Sequence, residues 1–289
     1  MRKITLLDGA VGTTLWNIAE AHGVKKEPVW KYNIEHPEFV TELVGKYVEA
    51  GSEIVLANTF GANGPAVRRS SSYSVPEVIN AAVNAAKEAV YGTGVKLCLA
   101  LGPLTQLLEP YGEMEKEECA AIYSEMLEAG IGAGCETVLI QTFMDLEMMR
   151  IAASEAVKYG LPVMCSMTFE KNGKTMFGNS VQDTIDTLVP LGIHAIGLNC
   201  SLGPELALPI MKEFSEKTDL PLLFKPNAGK PILSPDGTAS AEYSAKQFAK
   251  DIRPAFEYVS YIGGCCGSDA EYIREIRKLL EQTDVLKMR

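Results

Sequence analysis

TVLIQTFMDLEMMRIAASEAVKYGLPVMCSM, residues 137–167, contains one complete unit of the predicted fold. Short apolar runs over Thr137–Ile140 and Pro162–Met167 have the β-rich composition expected of buried strands. Between them, the apolar residues of Leu146–Lys158 repeat with a helical period. A strand, a helix and a second strand within about 30 residues indicate a βαβ unit, whose two strands are parallel.

The same alternation of strand and helix patterns extends over the whole chain. The predicted strands are Ile4–Leu7, Ile54–Ala57, Lys96–Leu101, Thr137–Ile140, Pro162–Met167, Ala195–Leu198, Leu222–Lys225 and Tyr258–Ile262. The predicted helices are Phe39–Ala50, Pro76–Val90, Lys116–Ala129, Leu146–Lys158, Val181–Leu191, Pro204–Glu216, Ala245–Ile252 and Ala270–Leu280, with Ser180 as a cap. Because no linker or low-complexity tract interrupts them, these units predict a single α/β domain over residues 1–289, a (β/α)₈ TIM barrel. Residues 16–37 form the least regular long connection and are predicted to be a lid or substrate wall.

Composition narrows the classes of partner. The net charge of −10 comes from acidic residues scattered along the chain, which argues against binding nucleic acid or an anionic membrane. Asp8 interrupts the first apolar run before it reaches the length of a signal-peptide core. Seven cysteines without a regular framework indicate a reducing compartment, so we expect a cytoplasmic protein without a disulfide scaffold.

Three cysteines follow predicted strands at the end where barrel enzymes carry their active sites. Cys200 follows the sixth strand, and Cys265 and Cys266 follow the eighth. Three thiolates with one open position suit a catalytic Zn²⁺. Adjacent residues can share a metal only if the backbone bends, which the neighbouring glycines permit: Gly263, Gly264 and Gly267. A vicinal disulfide or inert core thiols are the alternatives, and Cys98, Cys119, Cys135 and Cys165 are expected to be packing residues.

Several strand-end motifs resemble those of the zinc-dependent homocysteine S-methyltransferases. This family includes enzymes that use betaine or S-methylmethionine, and the homocysteine-binding module of cobalamin-dependent methionine synthase. The motifs are Asp8-Gly9-Ala10-Val11-Gly12-Thr13, Asn58-Thr59-Phe60, Gly102-Pro103-Leu104, Gly197-Leu198-Asn199-Cys200, Pro226-Asn227-Ala228-Gly229 and Gly263-Gly264-Cys265-Cys266-Gly267.

The resemblance implies an S-methyltransferase of methionine biosynthesis on a TIM barrel. Its zinc would be held by Cys200, Cys265 and Cys266 and would bind the acceptor sulfur as a thiolate, the reactive form of a thiol. It implies a substrate site containing Asp8, Asn58, Gln141, Asn199, Ser201 and Asn227. Local roles remain as alternatives: a turn or helix cap for Asp8, turn closure for Asn199 and Asn227, and a cap for Ser201.

Two positions depart from the family pattern and bear on the acceptor. Relatives that use homocysteine usually have glutamate at the position of Gln141, which helps the counterpart of Asp8 hold the substrate ammonium. They often read Glu-Thr-Asn-Thr-Phe where this chain reads Leu56-Ala57-Asn58-Thr59-Phe60. Because a buried ammonium needs a charged partner, the acceptor is either homocysteine, held by Asp8 with Gln141 and backbone carbonyls, or a different thiol that lacks the ammonium.

The methyl donor is expected to come from outside the barrel. The two candidate donors are a methyl-corrinoid on a separate protein, which we favour, and a small onium compound. An alternative of another class is a non-catalytic subunit that binds zinc or thiols.

Overall fold

A computed structural model describes residues 3–229, 231–233, 239–241 and 243–287, with side chains described for 3–229 and 243–283. The strands, in chain order, are β1 (Thr5–Leu6), β2 (Ile54–Leu56), β3 (Lys96–Leu101), β4 (Thr137–Phe143), β5 (Val163–Met167), β6 (Ala195–Asn199), β7 (Leu222–Lys225), β8 (Pro231–Leu233), β9 (Ala239–Ala241) and β10 (Tyr261–Ile262). All except β8 and β9 form one parallel sheet of eight strands, ordered β1-β10-β7-β6-β5-β4-β3-β2. Strands β8 and β9 pair with each other as an antiparallel hairpin.

The helices lie between the strands along the chain. They are α1 (Gly12–Ala21), α2 (Tyr32–Glu35), α3 (Pro37–Glu49), α4 (Gly64–Ser70), α5 (Val75–Val90), α6 (Lys116–Gly132), α7 (Leu146–Ala156), α8 (Val181–Leu188), α9 (Pro204–Lys217), α10 (Ala245–Ile252) and α11 (Ala270–Lys287). Together with the parallel sheet they form a (β/α)₈ TIM barrel, which confirms the predicted fold class. None of the helices in the described part of the chain combines the length and apolarity that a bilayer crossing needs.

The sheet closes at the seam between its two outer strands, β1 and β2, through individual hydrogen bonds. The amide of Glu53 donates to the carbonyl of Leu6 at 2.7 Å. The amide of Leu56 donates to the Asp8 carboxylate, also at 2.7 Å. A polar side chain at the end of β1 therefore supplies part of the backbone pairing that completes the barrel.

Two apolar cores lie on the two sides of the sheet. The inner core fills the barrel with buried side chains from β2 to β7 and from the residue after β1: Leu7, Ile54, Leu56, Cys98, Ala100, Leu139, Met164, Ala195 and Leu223. A larger core lies between the sheet and the helices. Side chains alternate along a strand, so inward positions recur at every second residue. Toward the carboxyl ends of the strands, several of these positions carry polar side chains: Gln141, Ser166, Asn199 and Lys225. The interior of the barrel is therefore apolar toward the amino ends of the strands and polar toward their carboxyl ends.

The sequence pattern located every barrel strand but missed shorter elements. Predicted strand Tyr258–Ile262 shortens to β10 because Arg253–Glu257 forms a 3₁₀ helix that extends the connection from α10. Ser180 caps α8 in a capping box with Asp183, as predicted. Helices α1 and α4 and the β8–β9 hairpin were not predicted. Residues 16–37 were predicted to be the least regular long connection, but this segment contains the second half of α1 and the whole of α2.

Candidate metal centre

Three cysteines converge at the C-terminal face of the barrel. The sulfur atoms of Cys200, Cys265 and Cys266, hereafter the cysteine cluster, lie within 4.8 Å of one another. The sulfurs of Cys200 and Cys266 are 3.5 Å apart. All seven cysteines of the chain are free thiols. The sulfurs are therefore close enough to share one small ion, and no vicinal disulfide is present.

The segment after β7 brings the two cysteine loops together. The amide of Cys200 donates to the carbonyl of Lys225 at 3.1 Å, and the amide of Cys265 donates to that of Pro226 at 2.9 Å. The amide of Ala228 in turn donates to the carbonyl of Cys266 at 2.9 Å. Backbone bonds to one intervening strand end thus fix residues that are 65 positions apart in the sequence.

The backbone turns sharply at both loops. Cys200 and Ser201 have φ values of 63° and 59°, in the left-handed region that costs non-glycine residues about 1–2 kcal/mol each. In the other loop, the Ser268 hydroxyl and amide both donate to the Cys265 carbonyl, at 2.6 and 3.0 Å. A side chain at Gly264 would collide with Ser268, since an added Cβ would lie 2.1 Å from its hydroxyl oxygen. This turn lets two adjacent cysteines face the same point.

Asn199 connects the cluster to two neighbouring strands. Its buried side-chain oxygen accepts from the Thr142 amide and the Ser166 hydroxyl, both at 2.8 Å. Its side-chain nitrogen donates to the Thr142 hydroxyl at 2.7 Å and approaches the Cys265 sulfur at 3.6 Å. Thr142 has a φ of 67° beside a register shift in β4, so Asn199 also holds a strained strand end. Every polar atom of this amide is engaged within the protein.

The metal-free thiols are weak acids. A hydrogen bond with Cys200, together with burial, raises the pKa of the Cys265 thiol to about 12. For Cys200, the hydrogen bond with Cys265 lowers the pKa, but the bond with Cys266 and burial outweigh it, giving about 11. For Cys266, the bond with Cys200 lowers the pKa, and the bond with Cys265 and burial raise it to about 11. A cation that replaces the thiol protons would remove this mutual destabilisation, so three soft sulfur donors fit a zinc ion.

The cysteine cluster lies on the wall of a cavity of about 270 Å³. Most of the other lining side chains are small or apolar, including Val11, Trp16, Val29, Leu56 and Phe60. Trp16 and Val29 come from the connection that was predicted to be a lid or substrate wall, and they do line this cavity. Within the described residues, Lys225 is the one charged side chain on its wall.

A buried ion pair lies beneath this cavity. The Lys225 ammonium donates to one oxygen of Asp8 at 2.7 Å, with side-chain exposures of 2% and 1%. The other Asp8 oxygen accepts from the Leu56 amide. Asp8 does not cap a helix, because α1 begins after Val11 without a side-chain cap. The helix-cap alternative for Asp8 was therefore wrong, and both carboxylate oxygens have partners within the chain.

The remaining predicted substrate residues fall into two places. Asn58 and Gln141 line the cavity of the cysteine cluster. The Asn58 amide donates to the Val29 carbonyl and the Asn33 side chain, whereas the buried Gln141 side-chain oxygen has no hydrogen-bond partner in the described structure.

Ser201 and Asn227 line a separate cavity of about 790 Å³ together with Glu170 and Tyr243. The side-chain oxygen of Asn227 is also buried without a partner in the described structure. The helix-cap alternative for Ser201 was wrong, because Gly203 is the cap residue of α9. Cys98, Cys119, Cys135 and Cys165 are buried away from the cavity, as expected of packing residues.

A family model described as homocysteine S-methyltransferase matches residues 5–280. The chain belongs to this family. Methionine synthases of Mycobacterium leprae and Mycobacterium tuberculosis are each 27% identical to it over 95% of this chain, and the chain spans 24% of their length.

Solved structures share the barrel of this family member. The metallated form of the homocysteine methyltransferase MmuM from Escherichia coli superposes with a TM-score of 0.78 at 21% identity, covering 96% of each chain. Its oxidized form gives a TM-score of 0.77 at 22% identity with the same coverage. A type I 3-dehydroquinate dehydratase from Clostridium difficile, 11% identical, has a TM-score of 0.54, which reflects the barrel alone.

The sequence-based prediction missed Lys225 as a residue of the site. It ends a predicted apolar strand, where a lysine is usually a solvated end residue. The available signal was its position immediately before Pro226-Asn227-Ala228-Gly229, one of the motifs at the active face.

Proposed function

We propose that this protein is an S-methyltransferase that moves a methyl group from an external donor to the sulfur of a thiol acceptor. The observation that carries the proposal is the cysteine cluster on the wall of an otherwise largely apolar cavity, in a chain of this family. Homocysteine is the acceptor that the names of the family and its relatives suggest.

Zinc is the cofactor proposed for the cysteine cluster. Cys200, Cys265 and Cys266 would hold the ion and leave one position for the acceptor sulfur. When bound, zinc supplies the charge that keeps the acceptor sulfur deprotonated at neutral pH. The chain's own contribution is to hold three donors on one side of a cavity lined mostly by small and apolar side chains. The new bond joins sulfur to the methyl carbon, and the pair of electrons from the broken bond leaves with the donor.

The donor remains a choice between two classes, and we favour a methyl-corrinoid carried by a separate protein. Cys266 is exposed, so the cluster opens to solvent on the C-terminal face and a bulky donor could reach it. A small methylated onium compound is the alternative. We expect turnover with methylcobalamin and none with S-methylmethionine or betaine; the reverse result would replace this choice of donor.

Methyl transfer to homocysteine and to other thiols, with each donor in turn, tests the activity. Native protein is compared with Cys200→Ala, which removes a proposed ligand, and with Cys165→Ala, which removes a buried thiol that is not part of the cluster. We expect zinc in near-equal molar amount and turnover in the native and Cys165→Ala proteins, and loss of both in Cys200→Ala. Zinc binding without methyl transfer to any thiol from either donor class would favour the non-catalytic alternative.

A further inference from the structure

The ion pair beneath the cavity bears on which thiol the site accepts. An acceptor held by its sulfur at the cysteine cluster extends its other end into the same cavity, where Lys225 and Gln141 lie. What these two side chains can bind therefore selects the acceptor. This inference rests on the proposed function.

Both oxygens of the buried Asp8 carboxylate already accept hydrogen bonds from within the chain. One oxygen accepts from Lys225 and the other from the backbone at Leu56, each at 2.7 Å, and the carboxylate is 1% exposed. Each oxygen keeps a second lone pair, so burial rather than a lack of acceptor sites separates the carboxylate from a substrate ammonium. The ammonium that pairs with Asp8 is the chain's own.

The cavity otherwise lacks negative side chains. No Asp or Glu lines it within the described structure, and Gln141 on its wall is neutral. Lys225, by contrast, has three N–H donors, and Asp8 is its one polar partner among the described residues. The buried Gln141 oxygen also has no hydrogen-bond partner among the described residues. The wall therefore includes a cation with unused donors and a buried neutral acceptor without a partner.

We propose that Lys225 is a specificity-determining residue, and that the acceptor is a thiol carrying a carboxylate or similar acid group, with no requirement for an ammonium. The acid group would accept from the free N–H bonds of Lys225, and Gln141 would accept from a neutral donor on the ligand. Bound zinc offsets only about half of the negative charge of the three cysteine thiolates and the acceptor thiolate, so the remaining charge favours a cation in the cavity. Direct contact with a buried ammonium is the stronger local effect.

Four thiols with the same three-carbon reach separate these contributions. Homocysteine carries both charged groups, 4-mercaptobutyrate only the carboxylate, 3-aminopropanethiol only the ammonium, and 1-propanethiol neither. Calorimetric titration of each into zinc-loaded native protein gives their affinities. We expect 4-mercaptobutyrate to bind at least as tightly as homocysteine and at least about tenfold more tightly than 3-aminopropanethiol, since a charge-assisted hydrogen bond distinguishes them.

Two variants test the residues themselves. Lys225→Met should weaken the binding of 4-mercaptobutyrate about tenfold and leave the affinity for 1-propanethiol unchanged. Because this change leaves the buried Asp8 charge without its partner, the double variant Asp8→Asn/Lys225→Met is measured in parallel. It should also lose the preference for 4-mercaptobutyrate over 3-aminopropanethiol. Gln141→Glu should strengthen the binding of homocysteine and of 3-aminopropanethiol by several-fold to about tenfold, because it provides a carboxylate partner for the ammonium.

The outcomes distinguish this inference from the proposed function. If 1-propanethiol binds zinc-loaded protein but native protein prefers 3-aminopropanethiol or homocysteine over 4-mercaptobutyrate, the inference about Lys225 is overturned and the proposed function stands. Equal affinities for the acid and the amine would also overturn it. If none of the four thiols binds zinc-loaded protein, the proposed function fails and this inference fails with it.

Discussion

Asn199 lies next to a proposed ligand, yet its side chain faces protein on every side. Its bonds to Thr142, Ser166 and the Cys265 sulfur indicate that it positions the cysteine cluster. We therefore expect Asn199→Ala to weaken zinc binding by about 10–100-fold, as is typical when a group that orients a metal ligand is removed. Competition with a chelator of known affinity measures this change.

The control for Asn199→Ala is Asn33→Ala. Asn33 is another buried asparagine; it donates to the carbonyls of Asn58 and Val78 and has no bond to the cluster. Asn33→Ala should lower the free energy of unfolding by about as much as Asn199→Ala does, about 1–3 kcal/mol for buried polar groups left unsatisfied. The zinc affinity of Asn33→Ala should remain that of the native protein. Equal loss of zinc affinity in both variants would mean that Asn199 acts only through general stability.

The Asp8–Lys225 pair is also expected to matter for folding. Removing one member of a buried ion pair leaves the other charge without compensation, at a cost of about 3–5 kcal/mol. Lys225→Met should therefore lower the denaturation midpoint in urea markedly, and Asp8→Asn/Lys225→Met should recover most of it. Lys158→Met provides the control, because the Lys158–Glu155 pair lies at the surface, where such pairs contribute about 0.2–1 kcal/mol. If Lys225→Met and Lys158→Met shift the midpoint equally, burial does not set the strength of the first pair.

At this scale, the residues that could be predicted were those with an unusual local signature. Cys265 and Cys266 are adjacent and flanked by glycines, and Asn199-Cys200 follows a strand. The ion pair between Asp8 and Lys225 could not be predicted in the same way, because the two residues are 217 positions apart in the sequence. Such a partner becomes visible only when the barrel closes and brings β1 and β7 close to each other.

The central strands of the barrel leave no space for a side chain at one inward position. A Cβ added at Gly197 in β6 would lie 1.8 Å from the Leu223 carbonyl oxygen in β7. Gly197→Ala must therefore move β6, which leads to Cys200, or β7, which leads to the segment that bonds to both cysteine loops. We expect a loss of about 3 kcal/mol or more in the free energy of unfolding, at or above the usual range for overpacked cores.

Gly45→Ala is the matched control for this substitution. Gly45 lies within α3, and an added Cβ would meet nothing within 4 Å. Alanine should stabilise this helix by about 0.5–1 kcal/mol because it restricts the unfolded chain and favours helix. Urea denaturation of both variants gives the comparison; a Gly197→Ala protein as stable as Gly45→Ala would show that β6 and β7 can separate without cost.

Long helices and strands were predictable because their buried residues repeat with a regular period. Short helices show too few repeats, so their prediction depends on the capping residues at their ends. Helix α5 repeats its buried residues over four turns, which makes its pattern clear. Helix α1 opens with Gly12-Thr13-Thr14 and lacks a side-chain cap, so its start carried no recognisable signal. Helix α4 did carry one, since Asn63 caps it and Pro65 lies in its first turn, but its seven residues are too few to show a period.

Across the whole molecule, the cysteine cluster links loops from β6 and β10, the strands on either side of β7. An ion held there would join the two loops directly, in addition to the backbone bonds through the segment after β7. Ligands that bind only the folded state stabilise it by mass action. Zinc should therefore raise the thermal midpoint of the protein, and a chelator should lower it.

The pH dependence of zinc binding tests this arrangement most directly. In the metal-free protein the pKa values of the three thiols are raised to about 11, 12 and 11, so they keep their protons at neutral pH and give the metal-free protein no pH dependence there. Binding as thiolates must displace about three protons, so affinity should rise with pH by up to about tenfold per unit for each thiol.

Zinc titrations between pH 6 and 8, in chelator-buffered solutions, give the slope of −log Kd against pH. The native protein should show a slope approaching three, and its zinc-induced gain in thermal midpoint should shrink as the pH falls. Cys200→Ser retains two thiols and should show a slope near two, with weaker binding throughout. Cys165→Ser removes a buried thiol outside the cluster and should keep the native slope. A native slope near zero would mean that the three cysteines are not displacing protons and therefore do not ligate zinc together.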